Sequence, residues 1–152
     1  MAGESGVLLA AGRQPRRPTG ALPADTEAST MATLTMTQDN HDQTVAQGIV
    51  LIDFWAAWCG PCRTFAPIFE RASERHQDVV FAKVDTEAEP GLAASYGVTS
   101  IPTLVAYRDG IPLFSQAGAV PETTLEDLLQ RIGDLDMEQV RASYEQQRAA
   151  QA

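Results

Sequence analysis

Cys59 and Cys62 are the two cysteines of the chain, set in the run Trp55-Ala56-Ala57-Trp58-Cys59-Gly60-Pro61-Cys62. They follow an almost wholly apolar segment, Ile49-Val50-Leu51-Ile52-Asp53-Phe54-Trp55. That order puts a C-x-x-C pair where a buried strand ends and a helix begins. A helix start offers unpaired backbone N–H groups and the positive end of the macrodipole. A thiol held there loses its proton more readily, and the thiolate is the form that attacks a disulfide.

Two other readings of the pair are open. Structural zinc takes about four ligands, and beyond the cysteines the chain offers only His41 and His76, far apart and without pattern. Two small core hydrophobes would be the plain alternative. The position after a buried strand and at the opening of a helix favours redox chemistry. Two cysteines this close cannot form the disulfide framework of a secreted domain, and such pairs suit reducing compartments.

The elements that must position the pair are read from pattern. The 152 residues suit one ordinary domain with a real core. Residues 1–30 mix Gly, Pro, Ala and Arg without periodicity and read as a disordered leader, with Met31 as a possible alternative start. Ala32 to Met36 alternates as a short strand. Thr37 is expected to cap a helix running to about Gln47, closed by Gly48. Ile49 to Trp55 lacks alternation, which indicates burial on both faces of a parallel or mixed sheet.

A helix from about Cys59 to His76 carries Phe65, Ile68, Phe69 and Ala72 on one face, with Pro67 expected to bend it. Val79 to Val84 is a further apolar strand. Leu92, Ala93 and Tyr96 mark a short helix ended by Gly97. Thr103 to Tyr107 and Ile111 to Gln116 form a hairpin about Asp109-Gly110, with Pro112 assigning the return strand to a sheet edge. A last strong helix starts at Pro121, repeats Leu125, Leu128, Leu129 and Ile132, and stops at Gly133. The tail 134–152 has a weaker helical signal, with Asp136 and Gln139 as a possible cap and Met137, Val140 and Tyr144 as a stripe that would pack back on the domain. Early alternation of strand and helix with a late hairpin gives an α/β fold with a mixed sheet.

Net charge is −9, carried by residues 31–152 because the charges of residues 1–30 cancel. That balance argues against binding nucleic acid or anionic lipid. No run approaches the roughly eighteen apolar residues of a membrane span. Val7 to Ala11 is short for a signal-peptide core and Glu4 replaces the positive start, so the expected location is cytoplasmic.

The segment Asp53-Phe54-Trp55-Ala56-Ala57-Trp58-Cys59-Gly60-Pro61-Cys62-Arg63 resembles the active site of the thioredoxin family. Thr99-Ser100-Ile101-Pro102-Thr103 resembles that family's second signature, a loop with a cis proline, and Lys83, Asp109-Gly110 and Gly118-Ala119 fall in family order. The resemblance spans 31–133. It implies a three-layer α/β/α fold, a central mixed sheet flanked by helices, and a general protein disulfide reductase. The Gly-Pro pair between the cysteines resembles reducing members. Electrons would come from NADPH through a flavoprotein, thioredoxin reductase, and pass to disulfide-containing proteins with no bound cofactor and no metal. The chain is expected to be a monomer.

On this reading Cys59 is the nucleophile, ionised and open to solvent at the helix start, and Cys62, more buried, resolves the mixed disulfide. Pro61 suits a first helical turn and Gly60 lets a partner's backbone come close. Asp53, alone in an apolar strand, is buried with a raised pKa and exchanges a proton with Cys62, through a water. Lys83 in the neighbouring strand is its partner. The resemblance further implies a cis Pro102 against the cysteines, strand-like pairing of substrate with Ile101, and an apolar docking surface from Trp58, Ile101 and Gly118. Arg63 keeps positive charge beside the motif. The alternative from another class is a binding module or holdase chaperone using the same apolar surface; an oxidase or isomerase would need an export signal.

Overall fold

A computed structural model describes residues 32–151. The expected disordered leader 1–30 and the alternative start at Met31 lie outside these residues.

The chain runs β1 (Thr33–Thr35), α1 (His41–Val45), β2 (Ile49–Trp55), α2 (Gly60–Arg75), β3 (Val80–Asp85), α3 (Pro90–Ser95), β4 (Thr103–Arg108), β5 (Ile111–Ala117), α4 (Glu122–Asp134) and α5 (Met137–Gln151). The five strands form one mixed sheet in the order β1-β3-β2-β4-β5. β3 is parallel to both β1 and β2, whereas β4 is antiparallel to β2 and β5. β2 is thus central, which is why its apolar run does not alternate.

Each face of the sheet carries a core. Leu51, Phe81, Leu104 and Ala106 pack against Phe65, Phe69 and Ala72 of α2 and Leu125, Leu129 and Ile132 of α4. On the other face Val50, Ile52, Phe54 and Val84 pack against Val45 of α1 and Leu92 and Ala93 of α3. These are the three layers expected. α2 keeps its helical course through Pro67, while β5 with Pro112 lies at the sheet edge.

The hairpin turns on Asp109 and Gly110, both at positive φ (54° and 83°), as a tight hairpin requires. Asp109 also ties the turn to the start of β2: its N–H donates to Gly48 O at 2.9 Å, and its Oδ1 accepts from Gly48 N–H at 3.0 Å.

The first helix departs from expectation. It starts after Asn40, not Thr37, and spans five residues. Asn40 explains this: its Oδ1 accepts from Thr37 N–H at 2.8 Å and its Nδ2 donates to Thr35 O at 3.0 Å, so residues 37–40 are held as a turn. α5 is a full helix whose entry is capped by Asp136 Oδ1, which accepts from the N–H groups of Glu138 and Gln139. Val140 and Tyr144 border a groove shared with Ile111, Pro112 and Leu113 on the edge strand. None of the α5 residues is buried.

Candidate active site

The sequence turns from β2 into α2 through Ala56-Ala57-Trp58, so the end of the central strand delivers Cys59 to the N-cap of α2. Cys59 and Cys62 are joined in a disulfide with Cα atoms 5.2 Å apart. Cys62 N–H donates to Cys59 Sγ at 3.2 Å, so the sulfur caps the helix as a side-chain oxygen would. When the disulfide opens, this N–H and the helix dipole both favour negative charge on Cys59. Pro61 stands in the first turn, where its missing N–H costs nothing.

The expected exposure of Cys59 is not found. Cys59 is 4% exposed and Cys62 3%, so burial does not separate them. The loop at Ile101 covers Cys59: its Sγ lies 3.7 Å from Ile101 O, and Ala56, Trp55 and Ile101 pack around the two sulfurs. What separates the cysteines is the side each borders. Cys59 lines an open groove of about 500 Å³ with Trp58, Gly60, Pro61, Ile101 and Thr86. Cys62 lines a small chamber of about 90 Å³ with Trp55, Arg63, Ala66 and Lys83.

Trp58 is 67% exposed and forms part of the groove wall. Its indole N–H donates to Glu87 Oε2 at 3.2 Å. The Ile101–Pro102 peptide is cis, and Pro102 is buried. Gly118, at φ 101°, donates its N–H to Pro102 O at 2.8 Å. Gly118 is therefore beside the proline loop but is not among the residues lining the groove.

Asp53 is 1% exposed, and its Oδ1 has no hydrogen-bond partner among the described residues. Desolvation by burial pushes its carboxyl up to about 7, against the opposing field of Lys83. Lys83 is Asp53's register partner on β3. Its ammonium lies 5.1 Å from the Trp55 ring centroid and 3.9 Å from Glu70 Oε2. Arg63 Nη1 donates to Ala57 O at 2.7 Å, fixing the guanidinium beside the turn.

The two histidines weighed for metal lie elsewhere. His41 contacts Tyr96 and Asp42, and His76 contacts Glu126. No group of three metal-ligating side chains is found among the described residues, and no helix there is long and apolar enough to cross a membrane.

Sequence reading missed Glu87 and Glu70. Glu70 stands seven residues after Arg63, two turns along α2 on the same face, and that spacing was the available signal. Nothing local marks Glu87.

The arrangement can exchange a dithiol for a disulfide, and the chamber beside the second sulfur is bordered by Lys83, the register partner of Asp53. The family model for thioredoxin matches residues 32–131. A Streptomyces coelicolor chain assigned as a thioredoxin 2 is 49% identical over 119 residues, 78% of this chain and 89% of that one. The Alicyclobacillus acidocaldarius thioredoxin is 44% identical over 98 residues, 62% of this chain and 92% of its own. Among solved structures, a mutant thioredoxin from Halobacterium salinarum superposes with a TM-score of 0.64 at 35% identity, covering 68% of this chain and 92% of that one.

Proposed function

The chain belongs to the thioredoxin family and is a protein-disulfide reductase acting through the Cys59–Cys62 pair; from that premise we propose which residue carries each step. In the reduced protein the Cys59 thiolate attacks one sulfur of a target disulfide. A Cys59–target bond forms, and the other target sulfur leaves as a thiolate and takes up a proton. Asp53 then accepts the Cys62 proton, directly or through a water. The Cys62 thiolate attacks Cys59 Sγ, the intramolecular disulfide forms, and the second target sulfur leaves reduced. Two electrons pass from the dithiol to the target.

The single observation behind this order is the Cys62 N–H held 3.2 Å from Cys59 Sγ at the N-cap of α2. It favours Cys59 as the ionised sulfur, and the raised carboxyl of Asp53 suits a group that both takes and returns a proton near neutrality. Trp58 and Ile101 line the groove through which a target would approach. Ile101 would pair with an extended target segment, with Pro102 and Gly118 shaping the loop beside it. Lys83 supports Asp53, and Gly60 and Pro61 keep the first turn of α2 low and open.

Electrons return from NADPH through a flavoprotein thioredoxin reductase, targets are disulfide-containing proteins, and the compartment is the cytoplasm. Residues 31–133 form the working domain, carried as a monomer, with 1–30 as leader and 134–152 as a helical tail. The deciding experiment is insulin-disulfide reduction coupled to reductase and NADPH. Turnover should be lost in Cys59→Ser; turnover retained in that variant rejects the assignment.

A further inference from the structure

The Lys83 ammonium is not where its register would put it. Asp53 and Lys83 are opposite one another on parallel neighbours β2 and β3, so both side chains project to the sheet face covered by α2. Among the described residues no ion pair joins them, and Asp53 Oδ1 is unpartnered. The ammonium instead lies over the Trp55 ring at 5.1 Å and 3.9 Å from Glu70 Oε2. Glu70 is on the exposed side of α2, with its side chain 48% exposed against 17% for Lys83. The carboxylate thus stands at the outer end of the lysine and the aspartate at the inner end.

We propose that Glu70 is a positioning residue for the exchange reaction: its carboxylate draws the Lys83 ammonium outward, over Trp55 and away from Asp53. The other groups facing this region leave Glu70 as the controlling one. From β3, Asp85 directs its Oδ1 to the Glu87 N–H. From α2, Arg63 is bound to Ala57 O, and Cys62 has no charge while oxidised. The neighbours from β1 and β4 are Thr35 and Leu104, neither of them ionisable. Glu122 and Glu126 of α4 are paired with Arg71, Arg75 and His76.

Coulomb energy varies inversely with distance, and it is less attenuated inside the protein than in water. An ammonium released from Glu70 would settle nearer the buried carboxylate and favour its ionised form. Asp53 would then give up its proton at lower pH and be a weaker base toward Cys62. The inference rests on the reading of Asp53 as the proton acceptor.

The test follows the Asp53 carboxyl carbon by NMR through a pH titration of the oxidised protein, where neither cysteine titrates. Glu70→Gln should lower the Asp53 midpoint by about half to one pH unit, roughly a three- to tenfold loss of proton affinity. The pH midpoint for release of a trapped target should fall by the same amount. In a Lys83→Met background, Glu70→Gln should leave Asp53 where it is. An unmoved midpoint in Glu70→Gln overturns the proposal. So does the same shift persisting without Lys83, because Glu70 would then act by its own field. Thermal unfolding checks that these substitutions leave the fold intact. Asp53→Asn separates the two readings: if it releases target at the wild-type rate with an unchanged pH profile, the base assignment falls, whatever Glu70 does to the Asp53 midpoint.

Discussion

Asp53 and Lys83 lie side by side in the register of β2 and β3, yet the buried carboxyl and the ammonium do not close an ion pair among the described contacts. The carboxyl is left to its desolvation, which lifts it from its ordinary 3.8 to about 7. The folded chain therefore holds a proton on Asp53 through a range where the unfolded chain has lost it. Asp53's contribution to stability is greatest below about pH 4, falls between about 4 and 7, and is flat above. The full span is on the order of 4 kcal/mol. Asp53→Asn removes this dependence. Urea unfolding should show it more stable than wild type by about 2–4 kcal/mol near pH 8 and within about 1 kcal/mol near pH 4. Parallel stability curves for the two proteins would reject a raised carboxyl.

The two sulfurs should separate by variant. On the proposed order, Cys62→Ser leaves Cys59 able to attack but removes the thiol that releases the target. Mixed with a disulfide protein, it should accumulate a covalent complex visible by non-reducing electrophoresis and dissolved by dithiothreitol. Cys59→Ser should give none. Equal trapping by both variants would undo the order of attack.

Trp58 is mostly exposed and borders the groove, while Glu87 accepts its indole N–H. Large exposed aromatics at a contact surface carry a disproportionate share of binding. Trp58→Ala should lower kcat/KM for a protein disulfide by roughly tenfold, with less than about a threefold change for a small aromatic disulfide. Steady-state kinetics with both substrates tests this; equal losses on both would mean that Trp58 serves the cysteines and not the target.

Arg108 terminates α4 from another element. Its Nη1 donates to Ile132 O at 2.7 Å, and the carbonyls of Gly133 and Leu135 lie at 3.3 and 3.5 Å. Ile132 and Gly133 lie in the last turn of α4, where carbonyls lack the usual intrahelical partner, and Ile132 O otherwise accepts only from the Leu135 N–H at 3.4 Å among the described backbone contacts. Arg108→Met should destabilise the chain by about 1–3 kcal/mol in urea unfolding, with the insulin assay unchanged at low temperature. A loss under about half a kcal/mol would show that water replaces the guanidinium.

What could be read from the chain was what repeats locally. The unbroken apolar run of β2, the Phe65-Phe69-Ala72 face of α2 and the Asp109-Gly110 turn each reappear as expected, because burial and turn geometry act over a few residues. Thr37 and Asn40 are both good capping types, and only the contact of Asn40 with Thr35 decides where α1 starts. The exposure of Cys59 depends on Ile101, which is 42 residues away. The helical spacing of Glu70 from Arg63 gives its face of α2, but the contacts of Glu70 with Lys83 and of Glu87 with Trp58 join different elements at separations no periodicity encodes.

One sulfur borders the outer groove and the other an inner chamber on the Lys83 side. A visiting protein seated over Trp58 and Ile101, as proposed, would cover the groove that Cys59 borders, and neither residue lines the Cys62 chamber. On the proposed order of attack, proton exchange at Cys62 would then go by the Lys83 side while the covalent complex covers Cys59.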